Sequence, residues 1–257
     1  MKITFLTLFP EMYQGFLSHS IIKRALAKGC VEIETVNIRD YTKDKNNRVD
    51  DYTIGGGAGL IMKCQPVVDS IKAVKKDNSK VIFMSPRGRT FKQEIAKELS
   101  KEEHIILLCG HYEGIDNRIL DYVDEEISIG DYILTGGELA SQVIADSIIR
   151  LLDGAITNES LDVESFDNNL LEYPQYTFPR EYEGKTIPPI LFCGDHKIVE
   201  KYRLKESLRL TMQLRPDLLE SRKFTKEELE LIEEIKNGIE EPKWLLDALE
   251  KGKKFIY

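Results

Sequence analysis

What this chain lacks narrows it first. No stretch approaches the ~18 consecutive apolar residues of a membrane-spanning helix. The apolar opening, residues 1–10, is short, carries Lys2 and has no small-residue cleavage site, so it is expected to be a first strand rather than a signal peptide. A cytoplasmic location away from membranes is the corresponding expectation. Cys30, Cys64, Cys109 and Cys193 form no CxxC pair, and none has a histidine at zinc-finger spacing, which leaves reduced thiols. His19, His104, His111 and His196 are equally scattered, so no metal site is expected from them. Positive charge is short too: 36 Lys and Arg against 44 Asp and Glu give a net charge of −8. That disfavours a general nucleic-acid coat but leaves room for a local basic patch.

Familiar nucleotide motifs are also missing. Gly184-Lys185-Thr186 ends like a P-loop, but Pro179 stands where the leading glycine is required, and no apolar strand precedes it. The glycine run at residues 55–59 is followed by Leu60 where a dinucleotide fingerprint needs its third glycine. No GxSxG elbow supports serine-hydrolase chemistry, and no internal repeat is evident.

What is present is a globular composition, 257 residues of which 42% are hydrophobic. Strand patterns at residues 2–8, 31–37, 81–84, 105–108 and 126–129 alternate with helical patterns at 10–26, 66–74, 91–99, 116–122 and 138–152. This alternation predicts an α/β fold with a mostly parallel sheet. Residues 40–59 read as one long polar, glycine-rich loop. Residues 157–169 are acidic and poor in core residues and read as a linker, expected to be mobile. Beyond a proline-punctuated stretch, helical patterns return at 196–214, 226–235 and 242–249. The domain expectation is therefore 1–156, a linker at 157–169, and a small, mainly helical domain at 170–257.

Three short loops follow predicted strands: Ser85-Pro86-Arg87-Gly88, residues 109–116 (CGHYEGID) and residues 128–139 (SIGDYILTGGEL). In open α/β sheets, ligands bind at the carboxyl ends of strands. Glycines let the backbone bend sharply and approach a ligand closely. Either of the two glycine loops taken alone reads equally well as turn chemistry.

The two loops together resemble the cofactor-binding signature of bacterial tRNA (guanine-N1)-methyltransferases of the SPOUT superfamily. The runs FPEM, VDDYTIGGGAGLIMKCQP, SPRGR, LLEYPQYTFPREYEGKTIPPIL and YRLKESLRLTMQLRPDLL stand in that family's order, so the resemblance covers nearly the whole chain. It implies a deep trefoil knot in the first domain, a feature that patterning alone would argue against. It also implies S-adenosylmethionine as cofactor, a homodimer with active sites between subunits, and methylation of N1 of the guanosine at tRNA position 37, 3′ of the anticodon. Magnesium is a further implied ion, with Glu113 as its candidate contact.

Carried onto this chain, the resemblance assigns Met84, Ser85 and Pro86 to one wall of the cofactor site, with Gly110, Tyr112, Glu113 and Gly114 opposite. Ile129, Gly130, Tyr132, Leu134, Gly136 and Gly137 complete it. Arg150 occupies the place of a catalytic arginine that would stabilise charge on guanine O6, though a mid-helix arginine beside apolar neighbours also reads as a snorkelling side chain. The family's general base is an aspartate just before Ser-Phe. Here Glu164 precedes Ser165-Phe166, Asp162 lies two residues earlier, and the linker is about one residue shorter, so the base stays open between them with Glu164 preferred.

RNA contact is expected from Arg48 in the basic cluster Arg39, Lys43, Lys45 and Arg48, and from Arg203, Lys205, Arg209 and Arg215, with Ser165 in the linker. Lys201, Lys205 and Arg209 are spaced i,i+4 and could form a basic stripe or a plain solvated face. By analogy with the family, Asp50 is a candidate reader of a guanine edge. Two rival readings remain: a flavodoxin-like oxidoreductase, suggested by α/β alternation alone, and a non-catalytic RNA-binding protein with a degenerate methyltransferase fold.

Overall fold

The computed structural model describes residues 1–156 and 165–256. Asp162, Glu164 and most of the expected linker lie outside those residues. The chain divides into two compact units, Met1–Asn158 and Glu159–Tyr257.

The first unit is built on five strands: β1 (Lys2–Thr7), β2 (Glu32–Asn37), β5 (Ser79–Thr90), β6 (His104–Leu108) and β7 (Glu125–Ser128). They are ordered β2-β1-β6-β5-β7, and every neighbouring pair is parallel. Parallel strands are covered on both faces, which is why Val81–Met84 and Ile105–Leu108 are unbroken apolar runs. Ile3, Phe5, Ile82, Met84, Ile105 and Leu107 point to one face, and Leu6, Val81, Phe83, Ile106 and Leu108 to the other. On the first face pack α2 (Ser20–Ala27), α4 (Gln93–Leu99) and α5 (Glu138–Ile149); on the second packs α3 (Cys64–Val74). The result is an α/β unit with a parallel central sheet.

Three expectations are corrected. The first helical pattern is broken: a 3-10 turn at Pro10–Tyr13 and α1 (Gln14–Ser18) are separated from α2 by His19, in extended conformation. The loop expected at 40–59 contains β3 (Asp50–Tyr52), which pairs antiparallel with β4 (Leu60–Met62). Finally, β5 does not end at Met84. Met84 and Arg89 both register with Ile127, so Ser85-Pro86-Arg87-Gly88 arches out of the ladder and the strand then resumes. Pro86 cannot donate to a ladder, which explains the arch. At its return, a Cβ on Gly88 would lie 2.4 Å from backbone atoms of Glu126 and Ile127, so only glycine fits.

His104 is buried and joins β1 to β5, its ring nitrogens lying 2.9 Å from Thr4 Oγ1 and 2.7 Å from Ser79 Oγ. Burial, aided by Lys2 and Lys76, holds its pKa below the usual value. Between that lowered value and the ordinary one, the unfolded chain binds the extra proton, so stability rises with pH across that window. Melting temperature is therefore expected to fall as pH drops below about 6.5, and His104→Gln should flatten the dependence in a pH series of thermal melts.

The second unit contains α6 (His196–Leu214), α7 (Lys226–Lys236), α8 (Lys243–Ile256) and a two-residue hairpin, β8 (Glu181–Tyr182) with β9 (Lys185–Thr186). Glu183 and Gly184, both at positive φ, make the hairpin turn, so the Gly-Lys-Thr run serves a tight reversal. Asp195 caps α6, and Thr225 with Glu228 forms a capping box on α7. Leu170, Leu208, Leu231 and Ile232 form one small core; Ile190, Cys193, Leu245 and Ala248 form another.

Candidate functional site

The carboxyl ends of β6 and β7, with the arch in β5 between them in the sheet, open into a cavity of about 340 Å³. That volume lies in the range of small-molecule sites. All thirteen residues assigned to the cofactor site line it. So do Phe83, His111, Ile127, Thr135 and Ala140, which the sequence reading did not assign. His111 and Thr135 lie inside the CGHYEGID and SIGDYILTGGEL runs, whereas Phe83 and Ile127 read from sequence as plain strand core.

The cavity is shaped by main chain. Gly137 donates its N–H to the Gly110 carbonyl at 2.9 Å, tying the β7 loop to the β6 loop. A Cβ on Gly137 would lie 2.8 Å from Cys109 Cα and 3.1 Å from Gly110 N, so no larger residue permits this contact. Phe91 N–H donates to the Ser128 carbonyl at 2.7 Å, tying the β5 return to the same loop. Tyr112 is held at φ 60°, a left-handed conformation uncommon outside glycine and often found where backbone strain serves a site. Its hydroxyl accepts from Arg39 Nη2 at 3.4 Å, so the basic cluster before β3 reaches the cavity rim. The β3–β4 hairpin carrying Asp50 is stitched to the same loop, Met62 N–H donating to the Gly114 carbonyl and Glu113 N–H to that of Leu60.

A buried polar cluster underlies these loops. Tyr13 OH lies 3.2 Å from Cys109 Sγ and 2.7 Å from Ser141 Oγ, and Thr7 Oγ1 donates to the Glu138 carboxylate at 2.8 Å. Burial, then the Glu138 charge, pushes the Cys109 thiol up to about 12, so it stays protonated and is no nucleophile at neutral pH. Glu138 sits in the first turn of α5, where the helix dipole favours an anion.

The cavity suits an adenosyl group. Phe83, Ile127, Ile129 and Leu134 offer apolar walls beside polar main chain, and His111 Nδ1 is buried without a hydrogen-bond partner. For magnesium the fit is poorer. Among the described residues no group of three or more His, Cys, Asp or Glu could hold a metal ion, and Glu113 is a single exposed carboxylate.

Arg150 is the C-cap of α5 rather than a mid-helix residue. The cavity touches α5 at its opposite end, at Gly137 and Ala140. At about 1.5 Å rise per residue, Arg150 therefore stands roughly 15–20 Å along the helix from the cavity of its own chain, further than an arginine side chain reaches.

The expected RNA-contacting side chains separate. Arg48 is exposed, as is Arg203, which stacks over the Tyr173 ring with its guanidinium carbon 4.7 Å from the centroid. Arg215 is exposed and paired with Asp217. Ser165 Oγ accepts from Glu172 N–H at 3.0 Å. Arg209 is paired with Glu240 and Glu206. Lys205 corrects the expectation: it is 1% exposed, and its ammonium donates to Glu234 at 2.8 Å and to the Ile239 carbonyl at 2.9 Å. A buried ammonium satisfied in this way is part of the core and presents nothing to a phosphate. The stripe at Lys201, Lys205 and Arg209 faces α7, α8 and the turn between them, since Lys201 pairs with Glu227 and lies over Trp244.

A glycine-shaped cavity at parallel strand ends, with polar main chain and apolar walls, defines a ligand-binding α/β protein. The family described as tRNA (Guanine-1)-methyltransferase TrmD matches residues 1–221. A tRNA (guanine-N(1)-)-methyltransferase of Clostridium botulinum strain Hall is 56% identical over 237 residues, covering 91% of this chain and 98% of that protein. The protein of the same description from Clostridium perfringens strain SM101 is 56% identical over 234 residues, covering 90% and 99%. The chain belongs to this methyltransferase family. No helix among the described residues is long and apolar enough to cross a membrane.

Proposed function

We propose that this protein transfers a methyl group from S-adenosylmethionine to N1 of the guanosine at position 37 of tRNA, 3′ of the anticodon. The observation that carries the cofactor half is the gathering of all thirteen assigned residues around one cavity. Family membership and the relatives' names support the tRNA half. A tRNA substrate puts the work in the cytoplasm.

S-adenosylmethionine supplies, when bound, an electrophilic methyl group on a sulfonium sulfur. Guanine N1 carries a proton at neutral pH, so a nucleophile forms only as that proton leaves. Glu164, or Asp162 in its place, would take that proton and so free the N1 lone pair for the methyl group that the cofactor would supply. Arg150 faces the negative charge that gathers on guanine O6. Asp50 accepts hydrogen bonds from a guanine edge, and Arg48, Ser165, Arg203 and Arg215 line the RNA path.

The reading includes a homodimer with each active site between subunits. Its support is the separation of Arg150 from its own cavity, together with exposed apolar side chains at Met12, Ile133, Leu139 and Val143. It also includes a deep trefoil knot in the first unit. The support there is family membership, and the main-chain bonds Phe91–Ser128 and Gly137–Gly110 hold the loops concerned together. Residues 170–257 form the tRNA-binding domain.

The test is incubation with labelled S-adenosylmethionine and a tRNA bearing guanosine at position 37. Label on that base is expected; none would reject the proposal and leave the non-catalytic RNA binder standing. Glu164→Gln is expected to lower kcat by about 10²–10⁴-fold, the usual contribution of a positioned base. A near-normal rate in Glu164→Gln with a depressed rate in Asp162→Asn would move the base to Asp162.

A further inference from the structure

The second unit holds a separate cavity of about 280 Å³, floored by Ile187 and Leu191 and walled by Tyr173, Tyr176, Phe178 and Phe192. Two features set it apart from a leftover crevice. Two of its rings are open to solvent, Phe178 being 74% and Tyr176 48% exposed, where an ordinary surface would bury them. The other two each lie under a guanidinium: the carbon of Arg203 is 4.7 Å from the Tyr173 centroid and that of Arg180 4.2 Å from the Phe192 centroid. Phe178 and Phe192 lie 6.5 Å apart, tilted by 45°, so the wall of rings continues between the two cations. Gln175 and Thr177 add amide and hydroxyl groups at the edge.

We infer that this cavity holds an unpaired nucleobase of the RNA substrate, distinct from the base that is methylated. Any base offers a π-face to stack on a ring or a guanidinium plane, and single-stranded RNA is recognised largely in this way. Arginine N–H groups at the rim match the phosphates on either side of a stacked base. A proline-rich peptide also docks on exposed aromatic rings, but it would gain nothing from two stacked cations. The inference rests on the reading that the chain acts on tRNA.

The test uses the full-length protein, an unmodified tRNA transcript and an oligouridylate. Phe178→Ala removes an exposed ring and leaves the cofactor cavity alone. It is expected to weaken tRNA and oligouridylate binding about tenfold, the low end for losing one stacked base, without changing affinity for S-adenosylmethionine. Phe178→Trp should restore binding. Because stacking carries no charge, the slope of log Kd against log salt should stay at the wild-type value in Phe178→Ala and fall by about one in Arg203→Gln. A folded Phe178→Ala whose affinity stays within about twofold of wild type, less than a lost stack produces, overturns the inference; so does an altered salt slope in that variant. If Phe178→Ala does not fold, ultraviolet crosslinking of the wild-type protein to the transcript decides. Adducts on Tyr173, Tyr176 or Phe178 support the cavity, and their absence overturns it. A wild-type protein that crosslinks there yet leaves guanosine 37 unlabelled would sink the methyl-transfer reading and keep this one.

Discussion

Gly137→Ala is expected to reduce methyl transfer at least ~100-fold, the scale of an ångström-sized misplacement in an active site. A methyl group at this position would meet Cys109 Cα at 2.8 Å and Gly110 N at 3.1 Å, both of them backbone. Neither can rotate away, so the β6 and β7 loops must part and the 2.9 Å bond from Gly137 N–H to the Gly110 carbonyl is lost. Gly137 has φ −82°, open to any residue, so the harm comes from contact and not from backbone strain. Crowding of this kind costs about 1–3 kcal/mol of stability, small enough for a folded variant. Calorimetry should then show lost affinity for S-adenosylmethionine in a protein that still melts cooperatively. Wild-type affinity would mean that these loops do not form the cofactor site.

Arg150→Ala is expected to behave in the opposite way, keeping cofactor affinity and losing about 10²–10³-fold in kcat, as when one preorganised charge-stabilising donor is removed. The separation along α5 makes the two variants complementary. In a two-fold dimer with shared sites, co-expressed Gly137→Ala and Arg150→Ala chains form mixed dimers in which one site has both wild-type halves. Random pairing then restores about a quarter of wild-type activity, because half the dimers are mixed and one of their two sites is intact. No recovery in purified mixed dimers would place Arg150 and the cavity within one chain and overturn the shared site.

Much of this was legible because parallel strands announce themselves. Ile105–Leu108 could only be a doubly covered strand, and the glycine loops after β6 and β7 had to emerge at one end of the sheet. The thirteen cofactor-site assignments came from resemblance, and the shared cavity gives them a common geometry. What stayed hidden depended on tertiary detail. Residues 50–52 are too few and too polar to signal a strand, and β3 exists because β4 lies beside it. The break at His19 interrupts a periodicity that continues on both sides of it. Lys205 looked like a surface cation because charge patterning cannot tell a solvated lysine from one that Glu234 and the Ile239 carbonyl receive inside the unit. Phe178 gave no signal either, since the aromatics of residues 173–182 stand among prolines with no period to tell an exposed ring from a core one.

The strand order has a consequence for how the site comes into being. β1 pairs with β6, Lys2 opposite His104, so β1 must wait for about a hundred more residues to be made before that pairing can form. At about 5–20 residues per second of synthesis this is a delay of roughly 5–20 s. The cavity needs the arch within β5 and the loops after β6 and β7 together, and the last of them closes only at Gly137. Distant pairings of this kind make slow folders. The ligand can therefore hold the finished sheet by mass action, but it finds nothing to bind until residues 137–140 have emerged, and it cannot guide the pairing of the strands before them.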